Sequence, residues 1–264
     1  MSFDVEADAY ARFMGRYSQP LADQLTSLVG TTAGQRALDV GCGAGALTAA
    51  LVDRLGATAV CAIDPSAAFV AATRARLPGV DVRLGAAEAL PFDDASFDRV
   101  LACLVVHFMA DPRQGLREMS RVAAPGGVVA ASVWDHAGGH GPLAVFWESV
   151  RALDPDAPDE SHLAGVREGD LSLLFMAAGM GGAVSTSLRV EVAHADFDAW
   201  WDPFTLGVGP AGDYVAGLVP ARRDELRERC RAALPAGAFS TSALAWTATW
   251  SKPTDRREID GPPE

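Results

Sequence analysis

The chain has 264 residues, and 22 basic against 34 acidic side chains leave a formal charge of −12 with a pI near 4.8. That balance argues against nucleic acid or an anionic membrane as partner, because either calls for a basic face that displaces counterions. Hydrophobic residues at 49% and charged ones at 21% exclude a disordered chain and supply enough apolar material for one elaborated domain.

Cys42, Cys61, Cys103 and Cys230 are scattered without a C-x-x-C pair, so they read as small hydrophobes and not as a disulfide framework or zinc site. The acidic start, MSFDVEADAY, lacks the basic and apolar regions of a signal peptide, and the longest apolar run, Val100 to Ala110, is too short to span a bilayer. A cytoplasmic protein is expected. Lys252 is the single lysine and arginine is abundant, the usage of a GC-rich bacterial genome.

Residues 4–29 show helical spacing, with Tyr10, Phe13, Met14 and Tyr17 on one face. A break at Ser18-Gln19-Pro20 then predicts two short helices, a lid over residues 1–30. From 36 to 135 strands alternate with helices. RALDV runs into a glycine turn and a helix; TAVCAID, VDVRLG, FDRVLACLVV and GGVVAASVW read as four further strands. Parallel neighbours need crossover connections, so this alternation predicts a doubly wound sheet with its ligand crevice at the carboxyl ends of the strands.

Beyond 135 lie a glycine loop, helices near 142–153 and 169–178, and two strand-like segments, 184–195 and 239–250, expected to finish the sheet as an antiparallel pair. The stretch between them, 194–236, is expected to fold over the crevice as a cap, with ARRDELRERCRAAL as a solvated helix. Residues 1–252 are thus read as one domain and 253–264 as a disordered tail.

The chemistry concentrates in ALDVGCGAGA. Gly41 and Gly43 let the backbone turn and approach a ligand, but with Ala46 they also fit the G-x-G-x-x-G/A dinucleotide pattern. Two neighbours, Asp39 and Asp64, shift the balance. A carboxylate at position 39 would repel a diphosphate and attract an ammonium group, directly or through water. Asp64, ending the second strand, is placed to accept hydrogen bonds from both hydroxyls of a ribose. An adenosine carrying a cationic amino acid satisfies both.

Four ordered segments over residues 36–134, LDVGCGAG, AIDPS, GAAEALPFDDASFDRV and LREMSRVAAPGGVV, resemble the class I S-adenosylmethionine-dependent methyltransferases, in particular the small-molecule branch with the ubiquinone and menaquinone biosynthesis enzymes. The resemblance implies a Rossmann-like α/β fold with a seven-stranded sheet ordered 3-2-1-4-5-7-6, its last strand pair antiparallel, and a helical cap. It implies S-adenosylmethionine as cofactor and S-adenosylhomocysteine as product. The glycine turn would cradle the methionine part, Asp64 the ribose, and GAAEALPF the adenine. The expected cofactor set is Tyr10, Tyr17, Asp39, Gly41, Gly43, Asp64, Pro65, Ala87, Glu88, Cys103 and Leu104. One departure is Ala86, where many relatives carry an acid that reaches the adenine amine; here backbone at Ala87 and the Glu88 side chain would serve.

The acceptor implied is a small, partly apolar or aromatic molecule methylated on oxygen, nitrogen or carbon, in a secondary-metabolic setting, by a monomer or homodimer. His107, just past the fourth strand, is the candidate base, expected at the crevice mouth with a pKa near neutrality, against a packing role in the following turn. Trp134, Trp200, Trp201 and Phe204 are candidates for an acceptor pocket, or else pack the cap onto the sheet. His136 and His140 read as loop histidines, and no metal site is expected. A non-catalytic cofactor-binding protein, a cofactor-bound cyclase or decarboxylase, and a nicotinamide-dependent oxidoreductase are the alternatives. The absence of a Tyr-x-x-x-Lys pair and the presence of Asp39 count against the last.

Overall fold

A computed structural model describes residues 7–157 and 159–254. Seven strands form one sheet: β1 (Ala37–Val40), β2 (Val60–Asp64), β3 (Asp81–Leu84), β4 (Phe97–Cys103), β5 (Ala123–Trp134), β6 (Val184–His194) and β7 (Phe239–Ser251). Their order is β3-β2-β1-β4-β5-β7-β6. The first five are parallel, and β7 inserts antiparallel between β5 and β6. This is the expected α/β architecture. Every residue of β1 and β2 is buried, as parallel strands covered by helices on both faces require. The edge strand β6 alternates exposed and buried residues toward its end, so one face packs inward.

Helices α3 (Ala46–Leu55), α4 (Ala67–Arg76) and α5 (Pro112–Val122) are the crossovers. Short polar side chains start two of them. Ser66 Oγ accepts from the Phe69 amide at 3.4 Å, and Asp111 Oδ1 accepts from the Gln114 amide at 3.0 Å ahead of Pro112 at the first helical position. β5 begins at Ala123, three residues earlier than the Pro125-Gly126-Gly127 turn suggested; that turn is a pairing irregularity within the strand beside β4.

The amino-terminal helices depart from expectation. α1 (Ala7–Tyr10), a π-helical turn (Ala11–Gly15) and α2 (Arg16–Leu28) form one uninterrupted helical run, with Pro20 inside α2. The predicted break at Ser18-Gln19-Pro20 is absent. Burial of Tyr17, Leu21 and Leu25 against the sheet outweighs the one hydrogen bond Pro20 cannot donate, and the irregularity falls in the π turn instead. Residues 1–6 of the predicted lid and 255–264 of the predicted tail lie outside the described residues.

After α6 (Ala144–Leu153) and α7 (Asp170–Ala177), the segment between β6 and β7 carries α8 (Phe197–Trp201), α9 (Gly209–Gly217) and α10 (Pro220–Ala233). Only Leu226 and Cys230 of α10 are buried, in keeping with its charged sequence. Among the described residues no helix is long and apolar enough to cross a membrane.

Lys252 closes the structure at the far end of β7. Its ammonium donates to the carbonyls of Ser120, Arg121 and Ala123 at 2.9, 3.3 and 2.8 Å, so one charge ties together the carboxyl end of α5 and the start of β5. Lys252→Ala is expected to destabilise the protein by about 2 kcal/mol, read as a lower urea midpoint at unchanged m-value.

Candidate functional site

At the carboxyl ends of β1, β2 and β4 lies a cavity of about 680 Å³. The turn after β1 builds its floor. The amides of Gly41 and Cys42 both donate to the Ile63 carbonyl, at 2.8 and 3.0 Å, which folds the chain back over β2. Gly41 has φ +74°, and a Cβ there would stand 2.5 Å from the Val105 methyls, so its glycine is a packing requirement. Gly43 has φ +50° with open space where a Cβ would project, and it lines the cavity. The two glycines of the motif therefore do different work.

Two carboxylates face this floor. Asp64 is held by backbone: its Oδ2 accepts from the Gly43 amide and its Oδ1 from the Ser66 amide, each at 2.8 Å. Each oxygen keeps a lone pair for a ligand, and burial raises its pKa despite those bonds. Asp39 is 1% exposed; Oδ2 accepts from Thr48 Oγ1 at 2.6 Å, while Oδ1 has no partner. Burial, reinforced by the nearby charge of Asp64, pushes Asp39 up to about 7. Ser18 Oγ, from α2, is a second buried cavity-lining atom without a partner. Two orphaned buried polar atoms in one cavity are what a polar ligand group is needed to satisfy.

Past Leu104 a smaller chamber of about 40 Å³ adjoins the cavity, sharing Tyr10, Leu104 and Phe108 with it. Leu104 sits at φ +64°, strained for a branched side chain, and its amide donates to the Ser132 carbonyl at 2.8 Å. The chamber's polar side chains are Tyr10, His107, Trp134, His136 and Glu160. His107 Nδ1 and Trp134 Nε1 are buried without partners. Glu160 Oε2 accepts from Trp147 Nε1 at 3.1 Å, and burial pushes its pKa up to about 7.

A methyltransferase domain family matches residues 38–131. An uncharacterized methyltransferase of Mycobacterium tuberculosis is 37% identical over 135 residues, 51% of this chain and 52% of the relative, so this chain spans about half the length of that protein. A Mycolicibacterium smegmatis protein named as a probable S-adenosylmethionine-dependent methyltransferase is 33% identical over 182 residues, 64% of this chain and 68% of its own. The chain belongs to the S-adenosylmethionine-dependent methyltransferases. In fold it is similar to a Haemonchus contortus phosphoethanolamine N-methyltransferase solved with S-adenosylhomocysteine, at 16% identity and a TM-score of 0.59, over 94% of this chain and 57% of that one.

In this methyltransferase the cofactor is S-adenosylmethionine, and the cavity's chemistry fits it: unpaired carboxylate and hydroxyl oxygens, an open glycine and a backbone-anchored carboxylate. The cavity brings together Tyr10, Asp39, Gly41, Gly43, Asp64, Pro65, Ala87, Glu88, Cys103 and Leu104. Glu88 also reaches across to accept from the Asp111 amide at 3.2 Å, which ties the wall after β3 to the start of α5.

Tyr17 is the exception in the expected cofactor set. Its hydroxyl bonds Thr241 Oγ1 at 2.9 Å, its ring meets Trp134 edge-on, and it lies off the cavity. Trp200, Trp201 and Phe204 also sit elsewhere. They are 2–3% exposed in a core with Phe13, Phe146 and Phe197; Phe204 stacks on Phe146 at 4.6 Å, and none of the three lines the cavity or the chamber. Apolar packing of the cap onto the lid claims them.

His107 is not at the mouth. It is 6% exposed inside the chamber, and burial with a neighbouring His136 ring at 5.9 Å pushes its pKa well below the usual histidine range, correcting the expected near-neutral value. His136 is no solvated loop residue either, since it lines the same chamber and burial lowers its pKa to about 4. His140 is the exposed one, paired with Asp135 at 2.7 Å.

Sequence reasoning missed Ser18 and Glu160. Ser18 follows a tyrosine in a helix and Glu160 follows three acids in a loop, and neither carries a local signal. Among the described residues no group of three or more His, Cys, Asp or Glu is placed to hold a metal ion.

Proposed function

We propose that this chain transfers a methyl group from S-adenosylmethionine to oxygen, nitrogen or carbon of a small, partly apolar or aromatic molecule. The observation that carries the reading is the inner chamber, which adjoins the cofactor cavity across Tyr10, Leu104 and Phe108 and is walled by aromatic and aliphatic side chains. When bound, S-adenosylmethionine supplies an electrophilic sulfonium methyl. The protein's task is then to position the acceptor and exclude water, which can be worth several kcal/mol.

In this reading Asp64 receives the ribose hydroxyls, Asp39 the methionine ammonium through its unpartnered Oδ1, and Ser18 closes the same end. Gly43 admits the ligand's approach, and Ala87 and Glu88 border the adenine. The helical run from residue 7 serves as the lid and 36–135 as the cofactor core, while from the cap only 208–211 reaches the chamber. Four free cysteines suit a reducing, cytoplasmic setting.

Parallel calorimetric titrations with S-adenosylmethionine, S-adenosylhomocysteine, NADH and NADPH test the cofactor half. Micromolar binding of the first two alone is expected, and nicotinamide binding alone overturns it. Release of S-adenosylhomocysteine above the buffer rate with a panel of small acceptors separates turnover from a non-catalytic binder.

A further inference from the structure

Two buried polar atoms of the chamber have no partner: Trp134 Nε1, a donor only, and His107 Nδ1, which can accept. Their residues are 3% and 6% exposed and line the same void. An unmade bond at either atom costs free energy that a ligand in the chamber can recover. We propose that the acceptor is an uncharged phenolic hydroxyl, whose oxygen accepts from Trp134 Nε1–H and whose proton is donated to His107 Nδ1. This rests on the methyl-transfer reading above and narrows it to one acceptor chemistry.

Other acceptor classes match these atoms less well. An aliphatic amine is protonated near neutral pH, and in that form it offers donors only, leaves the Trp134 N–H unmet and has no lone pair for the methyl; a thiol accepts weakly. A carboxylate or phosphate would lie beside Glu160, and among the described residues none of those lining the chamber is Lys or Arg. A planar ring suits the walls, which include Phe13, Phe108, Leu143 and Val208.

As found, the void holds only a few waters, so a ring must displace a wall. That wall is 208–211. It consists of Val208 and the first turn of α9, entered through Gly207 and Gly209 at φ +69° and +62°, two positions where the backbone can change direction with no Cβ to obstruct it.

The step balances. The oxygen–methyl bond forms as the sulfur–methyl bond breaks, the sulfur keeping the electron pair as a neutral thioether, and the hydroxyl proton passes to His107 Nδ1 and then to water. Burial keeps His107 neutral, which leaves Nδ1 open to accept the hydroxyl hydrogen bond; the proton crosses as the sulfonium charge is discharged, so the net charge of the site is unchanged when the imidazolium forms.

The test uses the full chain saturated with S-adenosylhomocysteine, with phenol and toluene as probes. The readouts are calorimetry and the ¹H–¹⁵N signal of the Trp134 indole, assigned with Trp134→Phe. Phenol is expected to move that signal and to bind at least about five-fold more tightly than toluene. Trp134→Phe should lower phenol affinity about ten-fold and leave S-adenosylhomocysteine affinity unchanged. His107→Asn keeps a hydrogen-bonding atom near Nδ1 but cannot serve as a base. It should hold phenol affinity within about three-fold while transfer to phenols falls about 100-fold or more.

Equal binding of toluene, an unmoved indole signal at phenol saturation, or no phenol binding up to its solubility overturns the proposal. The comparison of phenol with toluene and the phenol titration itself use the unaltered chamber, so they decide even if a variant fails to fold. Failure of S-adenosylhomocysteine itself to bind would sink the methyl-transfer reading and this inference with it; its binding without phenol in the chamber sinks this inference alone.

Discussion

Asp64→Ala is expected to weaken S-adenosylmethionine binding by about 3 kcal/mol, a loss of roughly 100-fold. Two losses add. The ribose hydroxyls lose a charged acceptor, and the amides of Gly43 and Ser66, which now donate to Oδ2 and Oδ1 at 2.8 Å, lose theirs. The second loss loosens the glycine turn that forms the cavity floor, so the effect exceeds that of a carboxylate touching ligand alone. Asp64→Asn should fall between, since its amide nitrogen opposes one of those N–H donors while its oxygen serves the other. Calorimetric titration checks both variants, and affinity unchanged within three-fold for Asp64→Ala would remove the residue from the site.

The second large effect is a pH dependence written by Asp39. Its pKa of about 7 lies above the usual carboxylate value of 3.8 because burial penalises the charge. An ammonium placed against Oδ1 favours the ionised form, so binding below about pH 7 must expel a proton. Affinity for S-adenosylmethionine should then fall up to ~10-fold for each pH unit below 7 and flatten above it, until the ligand's own α-amino group deprotonates near ~8.

For the ligand-free protein the sign reverses. A carboxyl whose folded pKa is raised from 3.8 stabilises the fold most at acid pH, and that contribution is lost as pH rises through about 7. Asp39→Asn should therefore raise the ligand-free melting temperature at pH 8, erase the pH dependence of binding between 5.5 and 7, and lower affinity at pH 7.5 by ~10-fold or more. Proton release measured in buffers of different ionisation enthalpy tests the linkage. A pH-independent affinity in the unaltered protein would take Asp39 away from the ammonium.

What the sequence determined on its own was local or periodic. The order of strands and helices dictates a doubly wound sheet, because parallel neighbours leave few connections available. The floor of the cavity was equally legible, since Asp39, Gly41, Gly43 and Asp64 lie at strand ends and in a tight turn whose geometry follows from a few adjacent residues. The break at Pro20 was the local misreading, where tertiary burial of α2 overrode a single breaker.

Only the tertiary structure decided which buried side chains face a cavity and which face one another. Helical spacing marks Tyr17, Trp200, Trp201 and Phe204 as buried without saying against what, and packing of lid on cap claims them. The chamber draws on residues near 10–14, at 104, 107 and 108, at 134, 136, 143 and 160, and at 208–211, separated by up to about three quarters of the chain, and no short pattern announces that meeting. His107 shows the physical reason most directly. Its place after β4 is read from sequence, but its protonation depends on desolvation by neighbours remote in the chain, a property the fold creates and no local segment contains.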